Sequence, residues 1–274
     1  GPCECAPRGL EGEGEMRLPC EGVYEGDLLI QYVNDLEDVT GYCEVTGDLV
    51  ISALKTDKVT FQVEVVGGNV DVVNNAVLST LEMPGLLSVA GAISIHENTS
   101  LQHVDFSSLD SVGGYFYIVN NNGLRELQLT QLVSVGAYLQ MNDNGALDTL
   151  IAPALNRVSE YISINANILL SSVSFPLLVE VGAYVQVGEN PALSAFEVPA
   201  LGSTGGSLSF VGNGALSSFE AAQLHSVAGH LNVSENQVLN ALALDGLNSV
   251  GADLRLKSNP SLVSVDLSAI QTVE

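Results

Sequence analysis

One feature constrains this chain more than any other: a 23-residue unit that recurs nine times without a break. Copies start at Val66, Val89, Val112, Val135, Val158, Val181, Thr204, Val227 and Val250. A fixed period of this length is the mark of a solenoid, in which each unit buries its apolar side only by stacking on its neighbours. With the unit numbered 1 to 23, position 10 is Asn in all nine copies: Asn75, Asn98, Asn121, Asn144, Asn167, Asn190, Asn213, Asn236 and Asn259. Position 13 is Leu in all nine, and positions 5, 7, 16 and 18 are apolar in every copy. Position 21 is Leu in eight copies and Ile270 in the ninth.

The spacing inside the unit names the element. Positions 4 to 8 alternate variable and apolar residues, as in Tyr115-Phe116-Tyr117-Ile118-Val119, and positions 16 to 18 alternate again, as in Leu127-Gln128-Leu129. That is the period of two of a half-buried strand. Positions 8–12 and 19–23 carry Asn, Gly, Pro and Ser, which favour turns. No stretch holds a helical stripe. The unit is therefore expected to run strand, corner, strand, corner, and its copies to stack into parallel sheets. At about 4.8 Å per strand, nine coils make a rod roughly 43 Å long. Two shorter coils precede them, because Gly26-Asp27-Leu28-Leu29-Ile30 aligns with Gly47-Asp48-Leu49-Val50-Ile51 at an offset of 21. The expected fold is all-β, a parallel β-solenoid of about eleven coils. An irregular cap spans 1–22, irregular coils 23–65 and regular coils 66–272.

An inward Asn at a corner can bond backbone groups that the bend leaves unpaired, and also the Asn of the next coil. Its side chain carries both donor and acceptor, so it repeats down a stack without like meeting like. The Asn column is accordingly expected to be a structural ladder. Asn98-Thr99-Ser100 matches a glycosylation sequon but has its Asn in that ladder. Asn232-Val233-Ser234 is the more accessible match.

Composition narrows the partners. The 274 residues hold 32 acidic and 8 basic side chains, a formal charge of −24. Phosphate backbones and anionic membrane surfaces are recognised by Lys and Arg, so neither nucleic acid nor direct membrane insertion is expected. No apolar run reaches the 18 residues that a spanning helix needs. Gly1-Pro2 has the form of a tag-cleavage remnant. The four cysteines, Cys3, Cys5, Cys20 and Cys43, all precede the regular repeats. An even number clustered at one end suggests disulfides and an oxidising compartment. Alignment of the first coils favours Cys20–Cys43, which leaves Cys3–Cys5. The rival reading, a zinc site, lacks both a common spacing and a nearby His.

The stretch Cys43-Glu44-Val45-Thr46-Gly47-Asp48-Leu49-Val50-Ile51 resembles the opening of a receptor L domain, the leucine-rich-repeat-like module of insulin and EGF receptors. Asp35-Leu36-Glu37-Asp38-Val39 resembles the first coil of related GPI-anchored fungal cell-wall proteins. The recurring Val-Gly-Gly-x-Leu-x-Ile-x-x-Asn-x-x-Leu is similar to the repeats of both, and the resemblance covers roughly residues 20–274. It implies a right-handed solenoid, a secreted or cell-surface setting, and a ligand held against a broad sheet face at positions 4, 6 and 8. The chain ends two residues into a tenth copy, and the repeat is expected to continue beyond it.

Function must be sought on the outward columns, since packing explains the inward ones. Position 4 reads Asn69, Ala92, Tyr115, Tyr138, Tyr161, Tyr184, Ser207, His230, Asp253. Four consecutive Tyr, joined by Tyr117 at position 6, offer amphipathic contact area of the kind that binding hot spots use. Gln140, Ser163 and Gln186 flank them as polar complements. The competing reading is an aromatic ladder that serves only the sheet. Acids recur at position 9 in alternate coils, Glu97, Asp143, Glu189 and Glu235. At position 17, Glu82/Asp105 and Glu197/Glu220 sit on adjacent coils, and such pairs could hold Ca²⁺ or serve as an acid/base pair. Asn142-Asp143-Asn144-Gly145 has the form of a calcium loop, but the ladder already accounts for Asn144. The four His recur at no common pair of positions. Serine-hydrolase, phosphate-loop and zinc-protease motifs are absent. No cofactor is expected.

The leading expectation is an extracellular, non-catalytic module that binds a protein or carbohydrate on the Tyr115–Tyr184 face. The alternatives are a structural wall spacer or adhesin stalk without a discrete ligand, and, less favoured, a polysaccharide-active β-helix enzyme. An enzyme would need acids clustered with Arg or Lys. Ice binding would need a column of outward Thr, which is absent.

Overall fold

The computed structural model describes residues 22–36, 39 and 41–274. The expected pairings Cys20–Cys43 and Cys3–Cys5, and the cap over 1–22, fall on residues outside that range or involve them. The described chain is all-β, and its only helical element is a 3-10 turn, Val33–Leu36, in the first coil. Strands stack in parallel, each against its counterpart one coil on. An eleven-stranded sheet, here the long sheet, runs from Leu28–Ile30 to Leu254–Lys257. Its pairs are offset by 21 residues at first, as in Leu28↔Leu49 and Leu49↔Val70, and by 23 from there on, as in Ile93↔Phe116.

The coil has three sides rather than the expected two. Strands occupy positions 5–8, as in Ile93–His96, and 15–17, as in His103–Asp105. A third strand of only two residues occupies positions 23 and 1, as in Ser88–Val89. These two-residue strands form a twelve-stranded narrow sheet of their own. Position 1 faces inward there, and Val66, Val89, Val112, Val135, Val158, Val181, Val227 and Val250 are all buried. The side at positions 15–17 is broken into three sheets of four, three and three strands. Inward columns at positions 5, 7, 13, 16, 18 and 21 fill the triangular interior with Leu, Val and Ile. Phe106, Phe116, Phe175, Phe210 and Phe219 supply the largest fully buried side chains.

The corner after the long-sheet strand explains the Asn column. Position 9 has a left-handed backbone in all nine regular coils, with φ between 55° and 71°. Only Gly212 among them is a glycine, so the other eight adopt a conformation that costs an L residue roughly 1 kcal/mol. The bend takes the N–H of position 10 out of the sheet ladder, and the Asn of the next coil accepts it. Asn98 Oδ1 accepts from the Asn75 backbone N–H at 3.0 Å and from Asn75 Nδ2 at 3.0 Å. Asn98 Nδ2 donates to the carbonyls of Val72 (2.9 Å), one coil back, and of His96 (3.0 Å), in its own coil. The Asn98 carbonyl accepts from Leu101 N–H at 3.1 Å, a turn that draws position 13 inward. The pattern repeats to Asn236, whose backbone N–H reaches Asn259 Oδ1 at 3.0 Å. Asn75 to Asn236 are buried at 0% exposure, and no buried side-chain N or O among the described residues lacks a partner. The expectation of a structural ladder holds, and the sequon at Asn98 is sealed within it.

Replacing Asn167 by Ala should strand the Asn144 N–H and the Met141 carbonyl, while the Asn165 carbonyl keeps the Asp143 N–H. Each such buried group costs about 1–3 kcal/mol. Urea unfolding should show a loss of about 3 kcal/mol or more for Asn167→Ala, and a much smaller one for Asn259→Ala in the half-buried last rung. Ala166→Gly relieves a left-handed Ala with φ 57°. Its midpoint should rise by the equivalent of up to about 1 kcal/mol, after allowing for the greater freedom of Gly in the unfolded chain.

Candidate functional site

The outer face of the long sheet brings together every residue expected there. Side chains at positions 4, 6 and 8 stand off this sheet, and parallel pairing puts equal positions of successive coils side by side. The rings of Tyr115 and Tyr138 stack at 4.9 Å with 5° between their planes. Tyr138–Tyr161 and Tyr161–Tyr184 follow at 4.6 Å, at 5° and 6°. Tyr117 meets Tyr115 edge-on at 6.4 Å, and His96 packs edge-on against Tyr117 at 6.1 Å. Tyr161 Oη donates to Gln140 Oε1 at a long 3.4 Å. Gln186 is exposed beside Tyr184. Further along the strand, Asn165 Nδ2 donates to Ser163 Oγ at 2.7 Å, and the Asn165 N–H donates to Asn142 Oδ1 at 2.9 Å.

The stack changes the tyrosines' acidity. Burial against neighbouring rings disfavours the phenolate; the phenols close by add to this at Tyr138 and Tyr161, while at Tyr184 a hydrogen bond with Tyr161 partly offsets it. The net effect raises Tyr138 and Tyr184 above the usual phenol range and pushes Tyr161 up to about 12.

Electrically this face is unlike the rest of the molecule. From Ala92 to Ser234, positions 4 to 8 of seven successive coils hold no Asp, Glu, Lys or Arg, in a chain of net charge −24. The acids lie on its borders, at the position 9 corner and, beside Tyr161, as Glu160 at position 3. Charges return at its two ends, as Asp71 on one side and Asp253, Arg255 and Lys257 on the other. Below the last tyrosine, Tyr184, the column changes to Ser207. A cleft of about 360 Å³ opens there, lined by Ala183, Tyr184, Gln186, Gly206, Ser207 and Ser209. Sequence reasoning missed this cleft. The available signal is the step from Tyr184 to Ser207 at position 4.

Three of the four paired acids make hydrogen bonds within the fold. Glu82 binds Lys58 Nζ at 2.7 Å and Thr60 Oγ1 at 2.9 Å, and the lysine's hydrogen bond holds its carboxyl below the usual range. Asp105 Oδ1 accepts from the Ser107 N–H at 2.8 Å. Glu197 accepts from Ser174 Oγ at 3.0 Å. Glu197 and Glu220 are exposed on a cleft of about 430 Å³, where the side at positions 15–17 breaks between Ala195–Glu197 and Ser218–Glu220. Beneath that break the rings of Phe196, Phe210 and Phe219 crowd together, 4.4 to 6.1 Å apart. Among the described residues no group of three or more His, Cys, Asp or Glu is placed to hold a metal. Asn144 of the calcium-like sequence is buried in the ladder. The more accessible sequon places Asn232 half-buried in a strand, its Oδ1 accepting from Ser234 Oγ at 2.6 Å.

These features define a parallel β-solenoid with an uncharged, tyrosine-lined sheet face. No family model matches the chain, and neither does any curated protein or solved structure.

A folded phenol that holds its proton to a higher pH than an unfolded one, which titrates near 10, makes stability fall as pH rises between the two values. Below pH 10 both forms stay protonated and the term vanishes. Denaturation midpoints should therefore decline between about pH 10 and 12, and the decline should be shallower in Tyr161→Phe.

Proposed function

We propose that the protein is a non-catalytic binding module of the cell surface or secreted space, which engages an extracellular protein or carbohydrate through the outer face of its long sheet. The observation that carries this reading is the coincidence of four stacked tyrosines with seven coils free of formal charge, in a strongly acidic chain. A face kept clear of charge in such a chain has lost the default means of staying solvated, and exposed aromatic area with polar neighbours is the composition of recognition surfaces. The titratable groups on this face are phenols and two imidazoles, with no Asp, Glu, Lys or Arg beside them at positions 4 to 8, which supports binding over catalysis. The resemblance of Cys43–Ile51 to a receptor L domain agrees with it in setting and in the face used. So does the cysteine-rich start, read as the disulfide-bonded cap of an exported protein.

A structural spacer is the second reading, and one observation favours it. Rings stacked at 4.6–4.9 Å satisfy one another, so the column stabilises the sheet whether or not a ligand is present. Stacked aromatic pairs contribute about 0.5–1.5 kcal/mol beyond their burial.

The two readings part on one double variant. Position 4 already accommodates serine at Ser207, so Tyr138→Ser with Tyr161→Ser should fold, at a cost of about 1 kcal/mol per lost pair. Capture of extracellular proteins and glycans by the immobilised protein, with the bound species identified, should fall by about tenfold or more in the variant. Equal capture by the two proteins would leave the spacer reading standing.

A further inference from the structure

We infer that the cleft where the tyrosine stack ends is a sugar-binding slot, which takes one neutral pyranose ring against the open side of Tyr184; the inference deepens the binding reading above and rests on it. Within the stack each ring covers the next, so the inner tyrosines present only edges and hydroxyls. Tyr184 is different. Tyr161 covers one side of its ring at 4.6 Å, and the next residue in the column is Ser207. Tyr184 is accordingly the most open of the four, at 37% exposure, and it forms one wall of the 360 Å³ cleft. That volume is at the small end of ligand pockets and suits one or two sugar rings.

The floor supplies hydrogen bonds. In other coils a polar residue at position 4 accepts the N–H of position 4 one coil on. Asp27 Oδ1 takes Asp48 N–H at 2.9 Å, Asp48 Oδ1 takes Asn69 N–H at 2.7 Å, and Asn69 Oδ1 takes Ala92 N–H at 2.8 Å. Ser207 Oγ takes His230 N–H at 3.0 Å. A tyrosine has no acceptor at that reach. Ser207 N–H, which follows Tyr184, has no hydrogen-bond partner among the described residues. The Ser207 hydroxyl, already accepting from His230, keeps its own proton to donate, and Gln186 and Ser209 line the same cleft.

Charge decides among ligand classes. Positions 4 to 8 of this and the neighbouring coils hold no carboxylate to favour a cation. They hold no Lys or Arg to favour an anion, which the net charge of −24 would also repel. A wholly apolar ring would leave the Ser207 N–H unpaired, which is costly once buried. A neutral pyranose has an apolar C–H side for the tyrosine and a rim of hydroxyls for Ser207, Ser209 and Gln186.

The probes are methyl glycosides of glucose, mannose, galactose and N-acetylglucosamine, with their β-1,3- and β-1,4-linked disaccharides, titrated by NMR on the full chain. At least one should bind and shift the signals of Tyr184, Ser207 and Ser209. Ser207→Tyr continues the stack and fills the slot without disturbing the ladder, and should weaken that binding by about tenfold or more. Gln128→Ala, exposed on another side of the coil, should leave it within about twofold. If no sugar in the panel binds, or if Ser207→Tyr binds as well as the unaltered chain, the slot is refuted. Neither result bears on the wider face, which the Tyr138/Tyr161 double variant tests with its own captured partner.

Discussion

The structure depends on one contact repeated down the stack: an asparagine amide that joins each corner to the corners beside it. A parallel coil must turn sharply where the long-sheet strand ends. The left-handed residue at position 9 makes the turn and leaves the next N–H without a strand partner. In the dry interior such a group must be satisfied or the fold forfeits several kcal/mol. The Asn of the following coil accepts that N–H, while its own amide donates back to carbonyls of the preceding coil. Every corner is thus completed only by its neighbour. Stability in such an array is a sum of nearest-neighbour terms, and the half-buried last described coil, with Leu254, Leu256 and Leu262 only partly covered, shows what one missing neighbour means.

Because the interior fixes the path of the chain, the outward columns are free to vary, and the coil spacing then imposes its own geometry on them. Strands lie about 4.8 Å apart, and the four tyrosine rings lie 4.6 to 4.9 Å apart. The sheet spacing and the ring spacing coincide, so the stack forms without deforming the backbone. The same coincidence hides the faces of the inner rings, Tyr138 and Tyr161; of the two end rings, Tyr184 is the more exposed, where a serine succeeds a tyrosine. Function on this face is therefore a matter of edges along the stack and of one open ring at its end.

Much of the fold was legible in the sequence, because the inward columns are almost invariant and the period is constant. Asn at position 10, Leu at position 13 and alternation at 5 and 7 determined the stacking, and the offset of 21 in Leu28–Ile30 and Leu49–Ile51 appears in the pairing as read. The third side of the coil was not legible. A strand of two residues, Ser-Val in five of the twelve, is too short to display any period, and its Ser and Gly neighbours read as a turn. The left-handed corner was hidden for a different reason. Asn, Glu, Asp, Ala and Ser fill position 9 in eight of nine coils, so the usual glycine signal is missing, and only the neighbouring rungs make that backbone tolerable. At the site, the tyrosine column was visible as a spacing of 23, but the cleft below it depends on the absence of a ring at Ser207, which a search for recurring residues passes over.

The most direct test of the ladder is the hydrogen exchange of its side-chain amides, followed by NMR in D2O on protein labelled with ¹⁵N at asparagine. The account predicts that the Nδ2 protons of Asn98 through Asn213 exchange on the slow scale of the sheet backbone, with faster exchange at Asn259. Side-chain amides that exchange as freely as those of exposed Asn156 or Asn240 would contradict it.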